Sequence, residues 1–271
     1  MKRFYYYRGI AVASCLLLAV VCGFAQSGTG DSYIPESGQD GKDVVWVPTP
    51  YALVDTMLDM AKVTSSDYIM DLGSGDGRTV IAAAKRGATA VGIEYNPEMV
   101  ALAKRNAAKE GVSSKATYME ADLFETDFSK ATVITMFLLP TINIELRPKI
   151  LDMKPGTRIV SNTFHMQDWE ADQTTRLDEN CVSWCTALLW IVPAKVNGTW
   201  RIDSGEIKFG QMFQNVAGTI TIDGKSTDLT GKLNGDKINF NAGGTEYTGT
   251  VSGNTISGTR SGGGTWQATR R

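Results

Sequence analysis

Tyr68-Ile-Met-Asp-Leu-Gly-Ser-Gly-Asp-Gly-Arg78 is the stretch from which the rest of the chain can be read. An apolar run ends in Asp71 and breaks into a Gly-x-Gly-x-Gly turn at Gly73, Gly75 and Gly77. A helical pattern, Thr79-Val-Ile-Ala-Ala-Ala-Lys85, follows at once. Strand, glycine loop and helix in that order let a nucleotide approach backbone N–H groups at a helix start. A Cβ would block both the tight turn and the close approach, hence the glycines. A second apolar run, Ala88-Thr-Ala-Val-Gly-Ile-Glu94, ends in an acid about 20 residues on, where a ribose-binding carboxylate belongs.

Outward from that stretch the pattern repeats. Val47-Pro-Thr-Pro50 precedes apolar residues at helical spacing (Leu53, Val54, Met57, Leu58, Ala61), with Thr49 read as N-cap and Pro50 as the first helical residue. The spacing predicts a second strand over Ala90–Glu94. It predicts a helix over Pro97–Glu110 behind Asn96 as cap, with Gly111 as its stop. Further strands are expected at Ala116–Glu120, Ala131–Phe137 and Thr157–Ser161, with a helix over Asn143–Leu151 interrupted by Pro148. Leu188–Pro193 reads as the last strand. Alternating strands and helices imply a doubly wound, Rossmann-like parallel sheet that binds ligands at the carboxyl ends of its first strands. Asp71, Glu94 and Asp122 all fall at such ends.

The loop is Gly-x-Gly-x-Gly behind an acid, not Gly-x-Gly-x-x-Gly, and so resembles motif I of the class I methyltransferases that use S-adenosylmethionine. Glu120-Ala-Asp-Leu-Phe124 resembles that family's adenine-contacting motif. With Val47-Pro-Thr-Pro50, Leu138-Leu-Pro140 and Lys154-Pro-Gly-Thr-Arg158, the set is similar to bacterial relatives of the mitochondrial protein-lysine methyltransferases. Those enzymes act on the c subunit of ATP synthase and on the adenine nucleotide translocase. The resemblance covers residues 44–193 and implies S-adenosyl-L-methionine as cofactor and a protein lysine as acceptor. It places Gly73, Ser74 and Gly75 against the methionine part, Asp71 near its amino group, Glu94 on the ribose hydroxyls and Asp122 on the adenine amine. Thr49, Tyr95 and Leu123 complete the implied cofactor-binding set. Many bacterial relatives carry Tyr where this chain has Phe137, which removes a hydroxyl where a substrate amine is expected.

For the chemistry itself the sequence offers Phe137, Pro140 and His165. A lysine nucleophile must be neutral, and its ordinary pKa is about 10.4. An apolar wall of Phe137, Leu138, Leu139 and Pro140 would favour the neutral form by excluding water. His165 follows the fifth strand and is a candidate base, and Asp168-Trp169 a candidate substrate rim. His165 is the only histidine, and no metal-ligand set is expected.

Composition is that of a globular chain, with 21% charged residues, a formal net charge of -2 and no basic stripe, so nucleic acid is not the expected partner. Residues 1–25 carry Lys2, Arg3 and Arg8 before an uncharged apolar run and small residues near Ala25. They read as a signal peptide or, uncleaved, as a membrane anchor; either places the following chain outside the cytoplasm, in periplasm or envelope. Residues 26–43 read as a flexible linker. Cys15 and Cys22 lie in the leader, leaving Cys181 and Cys185. On one strand these are too far apart to bridge; in a turn they can pair.

After a catalytic domain over 44–195, residues 196–271 change character, being rich in Gly, Thr, Ser and Asn with short alternating runs. Thr230–Asn239 aligns with Thr248–Ser257 as a repeat. Asp223-Gly224, Asn234-Gly235 and Gly243-Gly244 are hairpin turn pairs. Seven or eight strands are expected, forming a small antiparallel sheet or barrel as a separate unit. Three functions compete: a protein-lysine methyltransferase, a small-molecule methyltransferase, and an exported binding protein that keeps the fold without catalysis.

Overall fold

The computed structural model describes residues 1–2 and 33–271, so the leader, but for two residues, and the first part of the linker lie outside the described residues. Apolar runs and helical stripes alternate as expected: α1 (Tyr51–Met60), β1 (Tyr68–Leu72), α2 (Arg78–Lys85), β2 (Thr89–Glu94), α3 (Pro97–Lys109), β3 (Ala116–Glu120), β4 (Val133–Met136), α4 (Pro140–Leu151) and β5 (Arg158–Asn162). Two strands follow, β6 (Gln173–Arg176) and β7 (Thr186–Ile191). The sheet order is β3-β2-β1-β4-β5-β7-β6. The first five strands run parallel, and β7 returns antiparallel beside β5. The order reverses between β1 and β4, which opens a crevice beyond their carboxyl ends.

One face of the sheet buries Leu53, Leu58, Val80, Val100 and Ala103 from the first three helices. The other buries Ile142, Leu146 and Ile150 of α4 together with Trp169 and Trp190. The strands are therefore apolar on both sides, as in the fully buried Val133–Met136. Three expectations change. Helix α4 runs through Pro148 without interruption: the proline lies on the exposed side, where the missing N–H leaves no buried group unpaired on its account, and the helix continues past it with the Pro148 carbonyl accepting from the Asp152 N–H at 3.2 Å. The edge strand β6 has no counterpart in the sequence reading, since Gln-Thr-Thr-Arg is polar and largely exposed and carries no alternation to read. Trp169 is no rim residue. It is wholly buried, stacked 5.7 Å from Phe213, and its carbonyl accepts from Trp190 Nε1 at 2.7 Å.

The C-terminal residues form eight strands: β8 (Gly198–Ile202), β9 (Gly205–Met212), β10 (Asn215–Ile222), β11 (Lys225–Asn234), β12 (Lys237–Ala242), β13 (Thr245–Ser252), β14 (Thr255–Arg260) and β15 (Thr265–Arg270). They close into an antiparallel barrel through pairing of β15 with β8. Closure removes the edges that an open sheet would expose. Alternate residues point inward, so that Trp200, Ile207, Phe209, Leu229, Phe240 and Ile256 fill the interior. The repeat is structural: each copy spans a strand, a turn and the next strand, in β11–β12 and again in β13–β14. At Asp223-Gly224 both residues have positive φ (49° and 80°), as a two-residue hairpin turn of the primed type requires.

The barrel rests on the sheet. Gln214 Nε2 donates to the Glu170 carbonyl at 3.0 Å and the Arg147 guanidinium lies 5.3 Å from the Phe213 ring. Phe213 covers Trp169 while itself only partly buried, so Phe213→Ala should cost about 1–3 kcal/mol, less than a fully buried Phe. A lowered urea midpoint with an unchanged slope would show this, and an unchanged midpoint would mean the contact contributes nothing.

Candidate functional site

The carboxyl ends of β1, β2 and β4 form one cleft, lined by Asp71, Gly73, Ser74, Gly75, Glu94, Tyr95, Asp122, Leu123, Phe137 and Leu138. Four motifs separated in the chain thus meet, and each residue is placed by a local cause. Gly73 N and Ser74 N both donate to the Ile93 carbonyl at 2.9 Å, and Gly75 N donates to Glu94 Oε2 at 2.9 Å. The loop is thereby folded back over the end of β2. Glu94 Oε1 accepts from Asn96 N at 3.0 Å, which leaves the carboxylate fixed at the cleft with the Asn96 cap of α3 behind it. A Cβ at Gly75 would come 2.5 Å from Trp46 Nε1, so the glycine is required by close approach as well as by its φ of +52°. Ser74 is buried, and its Oγ has no hydrogen-bond partner among the described residues.

Asp71 is buried at the floor and accepts from Thr135 Oγ1 at 2.6 Å. Burial pushes its carboxyl up to about 7, and the nearby Glu94 and Asp76 add to the rise while Thr135 opposes it. Asp122 behaves in the opposite way. Lys42 Nζ stands 2.5 Å from Asp122 Oδ2, and this partner, with the Phe124 N–H, holds the carboxyl below its usual range.

Lys42 belongs to the stretch read as flexible linker. Its described part is folded: Gly38 N donates to Trp46 O at 2.8 Å and Trp46 N to Gln39 O at 2.9 Å. The loop so closed lays Lys42 and Trp46 over the cleft, with Lys42 4.8 Å from the Tyr95 ring. The Gly, Ser and Asp content that suggests a linker is equally that of a tight turn, so composition could not separate the two.

Thr49 is not the N-cap of α1. Pro50 takes that place without a side-chain bond, and Thr49 is buried, its Oγ1 accepting from Asn162 Nδ2 at 3.3 Å and its carbonyl from Arg78 Nη1 at 2.9 Å. Thr49 does line the cleft. His165 is exposed and does not; its Nδ1 accepts from Gln167 N at 3.0 Å, which closes its own turn. Pro140 begins α4 and Leu139 precedes it, neither on the cleft wall; Phe137, Leu138 and Ile142 supply the apolar side. Cys181 and Cys185 are bridged, their Cα atoms 5.7 Å apart, because the segment between β6 and β7 is a turn and not a strand. Phe164 and Trp184 join Phe137 in an aromatic cluster that sequence reading missed, since the three lie in different loops.

The profile of the ANTKMT methyltransferase domain matches residues 71–173, from the floor aspartate to the edge strand. A protein-lysine N-methyltransferase of Saccharolobus islandicus is 42% identical over 55% of this chain and 89% of its own length. The chain belongs to this methyltransferase family. The human lysine N-methyltransferase named for the ATP synthase c subunit is 33% identical over 48% of this chain; the match spans only 56% of that relative. The crystal structure of an RNA methyltransferase from Salinibacter ruber, in complex with S-adenosyl-L-homocysteine, is 43% identical with a TM-score of 0.52. It covers 55% of this chain and 96% of that one. In this methyltransferase the profile ends before the barrel begins.

The folded Asp71 holds its proton to a higher pH than the unfolded chain does, so its contribution to stability falls as pH rises from about 4 to about 7. Asp71→Asn should therefore gain on the wild type in urea denaturation as pH rises through that window. A constant difference between the two proteins across it would contradict the burial account.

Proposed function

We propose that the protein is an S-adenosylmethionine-dependent methyltransferase that acts on a protein lysine outside the cytoplasm. The convergence of Asp71, the Gly73–Gly75 loop, Glu94 and Asp122 on one cleft carries this reading. The site fits the cofactor in two respects. Gly73 and Gly75 bring backbone without side chains to the cleft, and Asp71, Glu94 and Asp122, at the ends of three neighbouring strands, all line it. When bound, S-adenosylmethionine supplies a sulfonium methyl group for in-line displacement.

The chain's own residues have separable tasks. Glu94 would accept from the ribose hydroxyls, and its bonds to Gly75 N and Asn96 N fix it for that role before any ligand arrives. Asp122, charged and held low by Lys42, is poised to accept from the adenine amine once Lys42 moves aside. Asp71 would meet the methionine ammonium, an encounter that favours its ionised form. Phe137, Leu138 and Ile142 keep the acceptor side dry, which favours the neutral amine. Phe137 has no hydroxyl, so on this side desolvation, and not a hydrogen bond, prepares the nucleophile.

The lysine acceptor rests on the relatives named for it. An RNA acceptor is the second reading, favoured by the name of the Salinibacter enzyme; the net charge of -2 and lack of a basic stripe weigh against it. The extracytoplasmic location rests on the leader sequence. The Cys181–Cys185 bridge supports it, as such bonds persist in oxidising compartments. Among the described residues no helix is long and apolar enough to cross a membrane.

Glu94→Ala removes a pair of charge-assisted hydrogen bonds worth on the order of 2–3 kcal/mol. Calorimetric titration should then show S-adenosylmethionine binding weakened roughly 30- to 150-fold. Unchanged affinity in a folded variant would remove the ribose assignment. Separately, a reporter active only after export, fused downstream of Lys195, should be active; a signal confined to the cytoplasm would overturn the location.

A further inference from the structure

Beyond the cofactor cleft, the acceptor side ends in three aromatic rings brought from three parts of the chain. Phe137 follows β4 and lines the cleft, Phe164 follows β5, and Trp184 lies in the turn before β7. Their centroids stand 5.8 Å (Phe137–Phe164), 5.9 Å (Phe137–Trp184) and 5.4 Å (Phe164–Trp184) apart. They are not core residues: Phe137 and Phe164 are only half-buried and Trp184 is 41% exposed. Burial alone does not account for so much uncovered aromatic surface beside a cleft.

Trp184 is held there by its own short ring of chain. It lies inside the loop closed by Cys181 and Cys185, with a φ of +58°, a conformation that a bulky residue rarely takes unaided. Cys185 is buried and its carbonyl accepts from Leu177 N at 2.9 Å, so the bridge ties the exposed tryptophan to a fixed point beside the sheet. Asp178 and Glu179, both exposed, precede the bridge in the same segment and add negative charge to it.

We infer that Phe137, Phe164 and Trp184 form the entry wall for the acceptor lysine, and that the Cys181–Cys185 disulfide is a positioning element that holds Trp184 in that wall. This deepens the lysine reading above and rests on it. Aromatic faces attract an ammonium or methylated ammonium through the ring quadrupole and accept the aliphatic stem as apolar surface. The exposed carboxylates of Asp178 and Glu179, in the segment that carries Trp184, add a field that draws the same cation and repels an anionic acceptor such as a nucleic acid backbone. Capture and reaction then occur at different depths. The cation is recognised at the rim, where its proton can pass to bulk water, and the neutral amine is the form favoured further in, beside Phe137 and Leu138, where water is excluded. A trimethylated lysine keeps its charge and cannot be deprotonated, so it binds at the rim as a cation only.

The test uses the full chain, titrated calorimetrically with acetyl-trimethyllysine methylamide and with its neutral isostere, in which carbon replaces the quaternary nitrogen. Both titrations are run with and without S-adenosylhomocysteine. The wild type should bind the cation about fivefold or more tightly than the isostere, the scale of a partly exposed cation–π contact. Trp184→Ala and the double variant Cys181→Ser with Cys185→Ser should lose that preference, while Trp184→Phe keeps most of it. In turnover with a lysine peptide, the two loss variants should raise KM and leave kcat nearly unchanged. Equal binding of cation and isostere by the wild type, or a preference retained by both loss variants, would overturn the inference. A variant that no longer melts cooperatively is judged by Trp184→Ala against Trp184→Phe alone. Failure of the cofactor reading would show up separately, as absence of S-adenosylhomocysteine binding by the wild type.

Discussion

Three successive N–H groups bent back onto the end of one strand hold the site together. Gly73 and Ser74 give theirs to the Ile93 carbonyl and Gly75 gives its own to the Glu94 carboxylate, all at 2.9 Å. Backbone groups in a tight turn otherwise need water or a ligand as partner, and here the end of β2 supplies one for each. The bend needs positive φ at Gly73, Gly75 and Gly77, which residues with a Cβ rarely adopt. Once it is made, α2 must leave across the sheet, Glu94 is fixed beside the loop, and Arg78 at the head of α2 reaches the Thr49 carbonyl to tie α1 to the same corner. The cleft is what remains between the loop and the strand ends.

Charge is distributed within that cleft by depth. The deep carboxylate, Asp71, keeps its proton more readily because burial disfavours its ionised form, whereas the rim carboxylate, Asp122, is ionised readily because Lys42 faces it. Two acids in one cleft therefore meet a ligand in different states. A cationic group is favoured at the floor, where it restores the charge that burial suppresses, and a neutral donor suffices at the rim. The strap that carries Lys42 is itself closed by two backbone hydrogen bonds, so the partner of Asp122 is positioned and not merely nearby.

The barrel stands to one side of this chemistry. Its interior is filled by its own aromatic and branched residues, with Phe240 and Tyr247 stacked at 4.8 Å, and none of these reaches the cleft. What it contributes to the sheet is a cover: Phe213 lies flat against Trp169, which would otherwise present an indole to water. A tryptophan that looks like rim in the sequence is in this way turned into core by a residue more than forty positions later.

The sequence by itself determined the parts whose cause is local. Asp71 with its glycine turn, the acid closing β2, the Asn96-Pro97 start of α3 and the Asp223-Gly224 and Gly243-Gly244 turns are each dictated by backbone geometry or by period, and each stands at its expected place; the turn expected at Asn234-Gly235 falls one residue later, at Gly235-Asp236, because Asn234 still pairs with Lys237. Tertiary structure decided what depends on which distant group arrives. Thr49 keeps its expected place at the cleft but not that of cap, because Asn162 and Arg78 hold its hydroxyl and carbonyl oxygens there. His165 was lost to the site because its ring nitrogen closes its own turn. The apparent linker became a strap because Trp46 pairs with Gln39. The two cysteines met because the chain turns between β6 and β7, and the three rings met because three strand ends converge. Local signals record the conformational preferences of a few neighbouring residues, whereas a partner brought from a hundred residues away leaves no trace in the pattern until the chain has folded.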